Sequence, residues 1–401
     1  MSEAGAVKAL AVEATRAFVQ QRYADAAAGY ERCIALMPGE PAFHFNLGTA
    51  REKQGDLAGA IDAYLAAWRL NSKDARIALF AGAALEAAGR REDAAVLFSL
   101  GDDIDLAVRR AKDRPDIDPE IRRRSATADR VMREHLTRLH AAAVSAFERE
   151  ATAAGSKPPD VARVRNAIWV QTHDRPFTYR TPQQKPALFY MPDLPAVPVV
   201  PRERLPWASA LEARTAELRD EYLAAVEAGA EHSPYVDAAT RGPIWQQLRG
   251  KLDWSSLHLY KVGMETPFVR AFPKTLAALE AADVVRLEGR PIELLFSRLR
   301  PGAHIPPHFG TENQRITVHL PLIVPGDCEI RVGSARHAWR EGELFAFDDS
   351  FEHEAWNRAG KDRVVLIFQA HNPDLRTEER AAIEYAIGAR ERWIRHRRVL
   401  S

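Results

Sequence analysis

Two stretches decide how this chain reads: SRLRPGAHIPPHFGTENQRITVHLPL, Ser297–Leu322, and GELFAFDDSFEHEAWNRAGKDRVVLIFQ, Gly342–Gln369. His308 and His353 stand 45 residues apart in strand-like surroundings, and Arg363 follows ten residues after the second histidine. Neutral imidazoles suit a redox-active first-row metal, and a fixed guanidinium pairs with a carboxylate through two parallel hydrogen bonds. The pattern points to a non-haem Fe(II) site with a cation that clamps a dicarboxylate co-substrate.

Around these stretches, from about residue 254, the sequence falls into short β-rich runs bounded by Gly, Pro and Asp: SLHLYKV, ELLFSRL, QRITVHLPLIV, CEIRVG, ARHAWR, LFAFDD and RVVLIFQA. Such punctuation predicts a sandwich or jelly roll rather than a parallel α/β fold. Inside a barrel of that kind alternate side chains point into one cavity, which lets distant residues share a site.

The N-terminal third follows a different rule. At a spacing of 34 residues Ala26, Ala60 and Ala94 coincide, as do Tyr30, Tyr64 and Phe98; Gly48 matches Gly82 and Gly55 matches Gly89. This is the tetratricopeptide period, a helix–turn–helix unit, and it predicts two and a half to three repeats across about residues 5–105. The array could offer a concave surface to a protein or peptide partner, or act as a rigid spacer. Residues 106–153 stay helical in pattern and strongly charged. The Arg122–Arg124 run is flanked by acidic residues, so it reads as a solvated helix face rather than a nucleic-acid contact. Residues 155–206 are Pro-rich and extended, and a helical segment spans 207–229. The expected architecture is thus α+β: a helical array over 1–105, a helical and Pro-rich connector over 106–184, and a catalytic β domain with a C-terminal helix over 185–401.

Composition excludes several classes. With 56 basic against 55 acidic residues the chain has no global field for nucleic acid or anionic membrane. Cys33 and Cys328 are its only cysteines, which argues against a disulfide framework and a Cys-based zinc site. The sequence shows no apolar run of membrane-spanning length and no signal-peptide core, so a soluble cytoplasmic protein is expected.

Taken together, PPHFGTENQRITVHLPL, FDDSFEHEAWN and DRVVLIF resemble the aspartyl/asparaginyl β-hydroxylases, 2-oxoglutarate-dependent oxygenases with a double-stranded β-helix fold. FYMPDLPAVP resembles the segment that opens their catalytic region, and the likeness covers about residues 185–375. It implies Fe(II), 2-oxoglutarate as co-substrate and O2, with His308 and His353 as metal ligands. Arg363 would hold the distal carboxylate of 2-oxoglutarate, helped by Ser297 and His319. Most related oxygenases carry an acidic residue two positions after the first histidine; here Gly310 stands there, as in this family, where water is thought to take the place. Trp254 falls where the family has a tryptophan near the substrate. Asp348 and Asp349 could orient an imidazole, meet the substrate or form an Asx turn. His304 is set aside because Pro306 and Pro307 separate it from His308, and His337 and His371 read as structural. Thr317 replaces an arginine that contacts substrate in the animal enzymes, which separates this chain from their substrates. The implied activity is hydroxylation of an unactivated carbon, the β-carbon of an aspartyl or asparaginyl residue or a related small molecule. The alternatives are an inactive tetratricopeptide adaptor and a hydroxylase of lipid-linked groups.

Overall fold

The structure, a computed structural model, describes residues 3–153, 157–240 and 242–397. The start of the expected Pro-rich connector, Gly155 and Ser156, lies outside the described residues. The chain divides into two compact units. One runs to Ser145 and takes in Thr172–Arg175 and the stretch from Tyr385; the other takes in Ala146–Gln171 and Pro176–Glu384.

In the first unit α1 (Glu3–Val19), α2 (Tyr23–Leu36), α3 (Pro41–Gln54), α4 (Leu57–Leu70), α5 (Ala75–Ala87) and α6 (Arg91–Arg110) pack as consecutive antiparallel pairs. The second helices of the pairs begin at 23, 57 and 91, each 34 residues after the last, as the period requires. Ala26, Ala60 and Ala94 are fully buried with Tyr30, Tyr64 and Phe98 beside them. The closest approach, though, is made by the glycines. A Cβ on Gly48 would stand 2.6 Å from the Tyr64 ring, and one on Gly82 2.6 Å from Phe98. The turn inside each pair needs a left-handed residue, supplied by Gly55 (φ 86°) and Gly89 (φ 79°), with Gln21 (φ 60°) at the equivalent place in the first pair.

Three expectations change here. The helical pattern over 106–153 breaks at 111–118, and a new helix, α7 (Pro119–Ala153), starts with Pro119 in its first turn. Its N-terminus is capped by Asp118 Oδ1, which accepts from Glu120 N at 2.8 Å. The arginine run is not a uniformly solvated face either. Arg124 is buried, its guanidinium bonded to both carboxylate oxygens of Glu52 at 2.9 Å and to Glu120. Likewise the segment over 207–229 forms two helices, Ala208–Glu212 and Thr215–Glu227, rather than one.

The second unit holds two large antiparallel sheets beside two two-stranded ones, Ile168–Trp169 with Phe189–Tyr190 and Arg286–Leu287 with Arg290–Pro291. The strands of the large sheets are β1 (Ser233–Pro234), β2 (Trp254–Lys261), β3 (Met264–Glu265), β4 (Glu293–Leu299), β5 (His304–His308), β6 (Arg315–Ile323), β7 (Cys328–Val332), β8 (Ala335–Ala338), β9 (Phe345–Phe347), β10 (His353–Asn357) and β11 (Arg363–His371). The larger sheet runs β9-β6-β11-β4-β2-β1 with β3 paired to β2, and the smaller runs β8-β7-β10-β5. From β4 to β11 the chain passes back and forth between the two. In the larger sheet even-numbered residues such as Phe296, Val318, Leu366 and Phe368 pack with Leu218 and Tyr222 of the Thr215–Glu227 helix. The odd-numbered residues of β4, β6 and β11 face the other way, toward a cavity shared with the smaller sheet.

Candidate active site

The strands that carry the two histidines are among those the β-rich runs did not include. β5 reads HIPPH, and its prolines are tolerated because it is an edge strand and its register slips against β10. β10 reads HEAWN, with His353, Ala355 and Asn357 buried while Glu354 and Trp356 are partly exposed. Pairing of β5 with β10 puts His308 opposite His353, ring centroids 4.0 Å apart.

Both rings are held in the same way. Nδ1 of His308 lies 2.8 Å from Pro306 O, and Nδ1 of His353 lies 2.9 Å from Phe351 O. A carbonyl oxygen can only accept, so each Nδ1 carries the proton and each Nε2 presents a lone pair. Burial lowers the pKa of His308, and burial together with the neighbouring His308 takes His353 down to about 3. Both imidazoles are therefore neutral at pH 7, the state a metal requires. Trp245 packs edge-on against His308 at 5.1 Å, and Trp254 lies tilted at 6.2 Å.

The cavity has a volume of about 370 Å³, within the usual range for a small-molecule site. Arg363, on β11, is 1% exposed and lines it. Among the described residues no carboxylate pairs with this guanidinium, and its Nε has no hydrogen-bond partner. The cation rests instead over the Trp339 ring at 4.6 Å. Burial lowers its pKa to about 10, so it remains a cation at neutral pH. Ser297 Oγ accepts from Trp254 Nε1 at 3.2 Å and from Arg363 Nη2 at 3.5 Å, leaving its own hydrogen to donate. His319 Nδ1 and Trp339 Nε1 are buried without partners. Burial, then the nearby Arg363, holds His319 well below the ordinary histidine range.

Ser297, His319, Arg363, Trp254, His308, His353 and Asp349 thus line one cavity. The two aspartates separate in place. Asp348 is buried in the turn, where Ser350 N (3.0 Å) and Gln184 Nε2 (2.8 Å) donate to it; desolvation raises it to about 7. Asp349 lines the cavity, accepts from Thr317 Oγ1 at 2.9 Å, and is raised to about 6 by desolvation. Its carboxylate occupies the space a side chain at 310 would need: a Cβ on Gly310 would run into it. Among the described residues no three His, Cys, Asp or Glu side chains gather as a metal-binding group. His304 points elsewhere, bonded to Glu354 at 3.0 Å and stacked on Trp356. His337 stacks on Phe345. The sequence reading missed Tyr235, Trp245, Glu293, Trp339 and Gln369. Strand parity could have found two of them: Glu293 shares a face with Ser297, and Gln369 shares one with Arg363.

Residues 212–373 match the family model described as aspartyl/asparaginyl beta-hydroxylase. The mouse aspartyl/asparaginyl beta-hydroxylase is 35% identical over 143 residues, 35% of this chain and 19% of that protein. The aspartate beta-hydroxylase domain-containing protein 2 of Xenopus tropicalis is 30% identical over 209 residues, 50% of this chain and 54% of that protein. The ornithine lipid ester-linked acyl 2-hydroxylase of Rhizobium tropici is 31% identical over 180 residues, 44% of this chain and 61% of that protein. The match spans less than two thirds of each relative. A solved tetratricopeptide domain of Arabidopsis OM64 overlaps 33% of this chain and 99% of its own at 16% identity and a TM-score of 0.28. Among the described residues no helix is long and apolar enough to cross a membrane. Through residues 212–373 the chain is thus similar to the aspartyl/asparaginyl β-hydroxylases.

Proposed function

We propose that the β unit is an Fe(II)- and 2-oxoglutarate-dependent hydroxylase built on a double-stranded β-helix, with His308 and His353 as the metal ligands and Arg363 as the anchor of 2-oxoglutarate. One observation carries this reading. A guanidinium buried to 1% exposure without a counter-anion shares a cavity with two neutral imidazoles whose Nε2 lone pairs are free. A buried charge is tolerated only with a partner, so an anionic ligand completes the site. The alternation of strands between two sheets supports the double-stranded β-helix.

The residues present fit the absent groups. Imidazole suits iron, and with Gly310 in place of a third protein ligand the other coordination positions are left to co-substrate and water. When bound, the metal supplies O2 activation coupled to decarboxylation: 2-oxoglutarate, O2 and a C–H substrate become succinate, CO2 and the hydroxylated product. The chain's own residues do the rest. Arg363, Ser297, His319 and Trp339 offer donors to the distal carboxylate. The i−2 carbonyls fix both imidazole tautomers, and Trp245 and Trp254 wall the histidines from water. The substrate itself stays with the family's chemistry, an aspartyl or asparaginyl β-carbon or a related carbon. The named relatives include an aspartyl/asparaginyl hydroxylase and a lipid acyl hydroxylase, so the choice belongs to this chain's own cavity.

The test is anaerobic addition of Fe(II) and then 2-oxoglutarate to the full chain, watching for the visible charge-transfer band of the chelate. The band should form in the native protein, and His308→Ala and His353→Ala should abolish both it and 2-oxoglutarate turnover while the circular dichroism stays folded. A folded, initially metal-free protein that gives no band overturns the assignment, as does turnover retained in both variants.

A further inference from the structure

Each of three neighbouring strands lines the cavity with two kinds of residue, one at either end. Along β11 the inward residues run from Arg363 through Ile367 to Gln369; along β4, from Ser297 through Leu295 to Glu293; along β6, from His319 through Thr317 to Arg315. Register aligns β4 with β11 and sets β6 two residues out of step, with His319 opposite Ile367 and Arg315 opposite His371. Ser297 lies opposite Val365 and Leu295 opposite Ile367, while Thr317 lies opposite Gln369. Arg363 and Gln369 are six positions apart on one strand, roughly 20 Å of backbone.

The two ends have opposite hydrogen-bonding character. The Arg363 end presents donors: the guanidinium, the Trp339 indole and the Ser297 hydroxyl. The far end presents acceptors. Glu293 and Asp349 bring carboxylates, and Gln369 Oε1 is buried without a hydrogen-bond partner. Gln369, only 6% exposed, is fixed with that oxygen free because its Nε2 donates to Thr317 Oγ1 at 3.0 Å, and Thr317 in turn donates to Asp349. One arginine and one imidazole stand nearby. Arg315 Nε is engaged by Glu312 at 3.2 Å, and His258 Nε2 lies 3.8 Å from Glu293 Oε1. Three carboxylates, counting Glu312, against one arginine leave this end acidic. Its free atom is an acceptor, and the stacked rings of Tyr235 and Trp254, 3.9 Å apart, line the cavity as well.

We infer that this end of the cavity binds a protonated amine on the substrate, through Glu293, Asp349 and the free Gln369 carbonyl. The inference rests on the hydroxylase reading for the word substrate; the selectivity itself does not require it. An ammonium has three donors and no acceptor, the complement of an end that presents acceptors, whereas a carboxylate side chain would meet two like charges. Thr317, where an arginine would favour an acidic group, belongs to the same arrangement.

The full chain, with 2-oxoglutarate present, is titrated calorimetrically with three blocked amino acids: N-acetyl-lysine amide, N-acetyl-norleucine amide and N-acetyl-aspartate amide. Lysine and norleucine differ at the terminal amine, so their comparison isolates the charge. The lysine probe should bind at least about tenfold more tightly than the other two, as for a charge-assisted hydrogen bond. Glu293→Gln and Asp349→Asn, both isosteric, should each erase most of that margin without weakening the norleucine probe. Equal binding of lysine and norleucine probes by the native chain overturns the inference, and so does preference for the aspartate probe or an unchanged margin in both variants. The Fe(II) chelate band of the native chain is read in parallel. Amine selectivity without a band sinks the hydroxylase reading alone, and a band without amine selectivity sinks this inference alone.

Discussion

Two buried arginines, one in each unit, show how differently the two halves of this chain handle charge. Arg124 in the helical unit is 4% exposed and lies over the Phe80 ring at 4.1 Å. Burial alone would lower its pKa, but Glu52 and Glu120 more than offset this and raise it. Arg363 in the β unit is as deeply buried, also rests on an aromatic ring, and has no carboxylate. Its pKa falls to about 10 because desolvation acts almost unopposed. The helical unit completes its own electrostatics. The β unit leaves an anion's place to be filled from outside, which is how a binding site differs from a structural ion pair.

The sharpest way to break this comparison is to neutralise each arginine. Arg363→Met should weaken 2-oxoglutarate binding by about 100-fold or more. Without ligand the variant should melt no lower than the native protein, because an unpaired buried charge has been removed. 2-Oxoglutarate should raise the melting temperature of the native chain and leave the variant's unmoved, as linkage demands. A variant that melts lower and binds normally would make Arg363 a structural residue. Arg124→Met should do the opposite, lowering stability by about 2–4 kcal/mol in chemical denaturation with no effect on 2-oxoglutarate affinity, toward the lower figure because Glu52 and Glu120 keep some water contact.

Smaller effects separate the rules of the two units further. Gly48→Ala pushes a methyl against Tyr64, whose ring is itself held by a hydrogen bond from its hydroxyl to Glu52 at 2.8 Å. The expected loss is about 1–3 kcal/mol, read from the shift in denaturation midpoint. Gln21→Gly should stabilise by about 0.5–1 kcal/mol, since Gln21 holds a left-handed conformation that glycine adopts without strain. A destabilised Gln21→Gly would mean that side-chain packing, not backbone strain, governs the first turn of the array.

Much of this is legible in the sequence. The 34-residue period matched Gly48 with Gly82 and Tyr64 with Phe98, the residues that pack Gly48 on Tyr64 and Gly82 on Phe98, because repeat packing is local: each helix meets its sequence neighbours, so the spacing survives as a pattern. The histidine pair was legible through its residue types and its family resemblance. The strands that hold the pair were not. HIPPH carries two prolines and HEAWN opens on two polar residues, and both lose the alternation of apolar and polar residues that marks a strand. An edge position with a register slip for the first, and pairing on both sides for the second, make them strands, and these are tertiary facts. Arg124 was misread for a related reason: its partner Glu52 lies 72 positions earlier, and no local charge pattern reports a contact at that distance.

By itself the sequence determined the helical repeat, the β-rich second half, the histidine pair and the guanidinium that shares their cavity. Those features follow from periodicity and residue chemistry, which are written along the chain. Only the tertiary structure decided that Asp348 lies buried in a turn while Asp349 faces the cavity, and that Gly310 must stay small because Asp349 fills its space. It alone revealed that Glu293 and Gln369 stand at the end opposite Arg363. Side-chain direction along a strand is set by parity, but which face is enclosed and which strands are neighbours is set by long-range pairing. Opposite ends of one cavity come into being only when β4, β6 and β11 lie side by side.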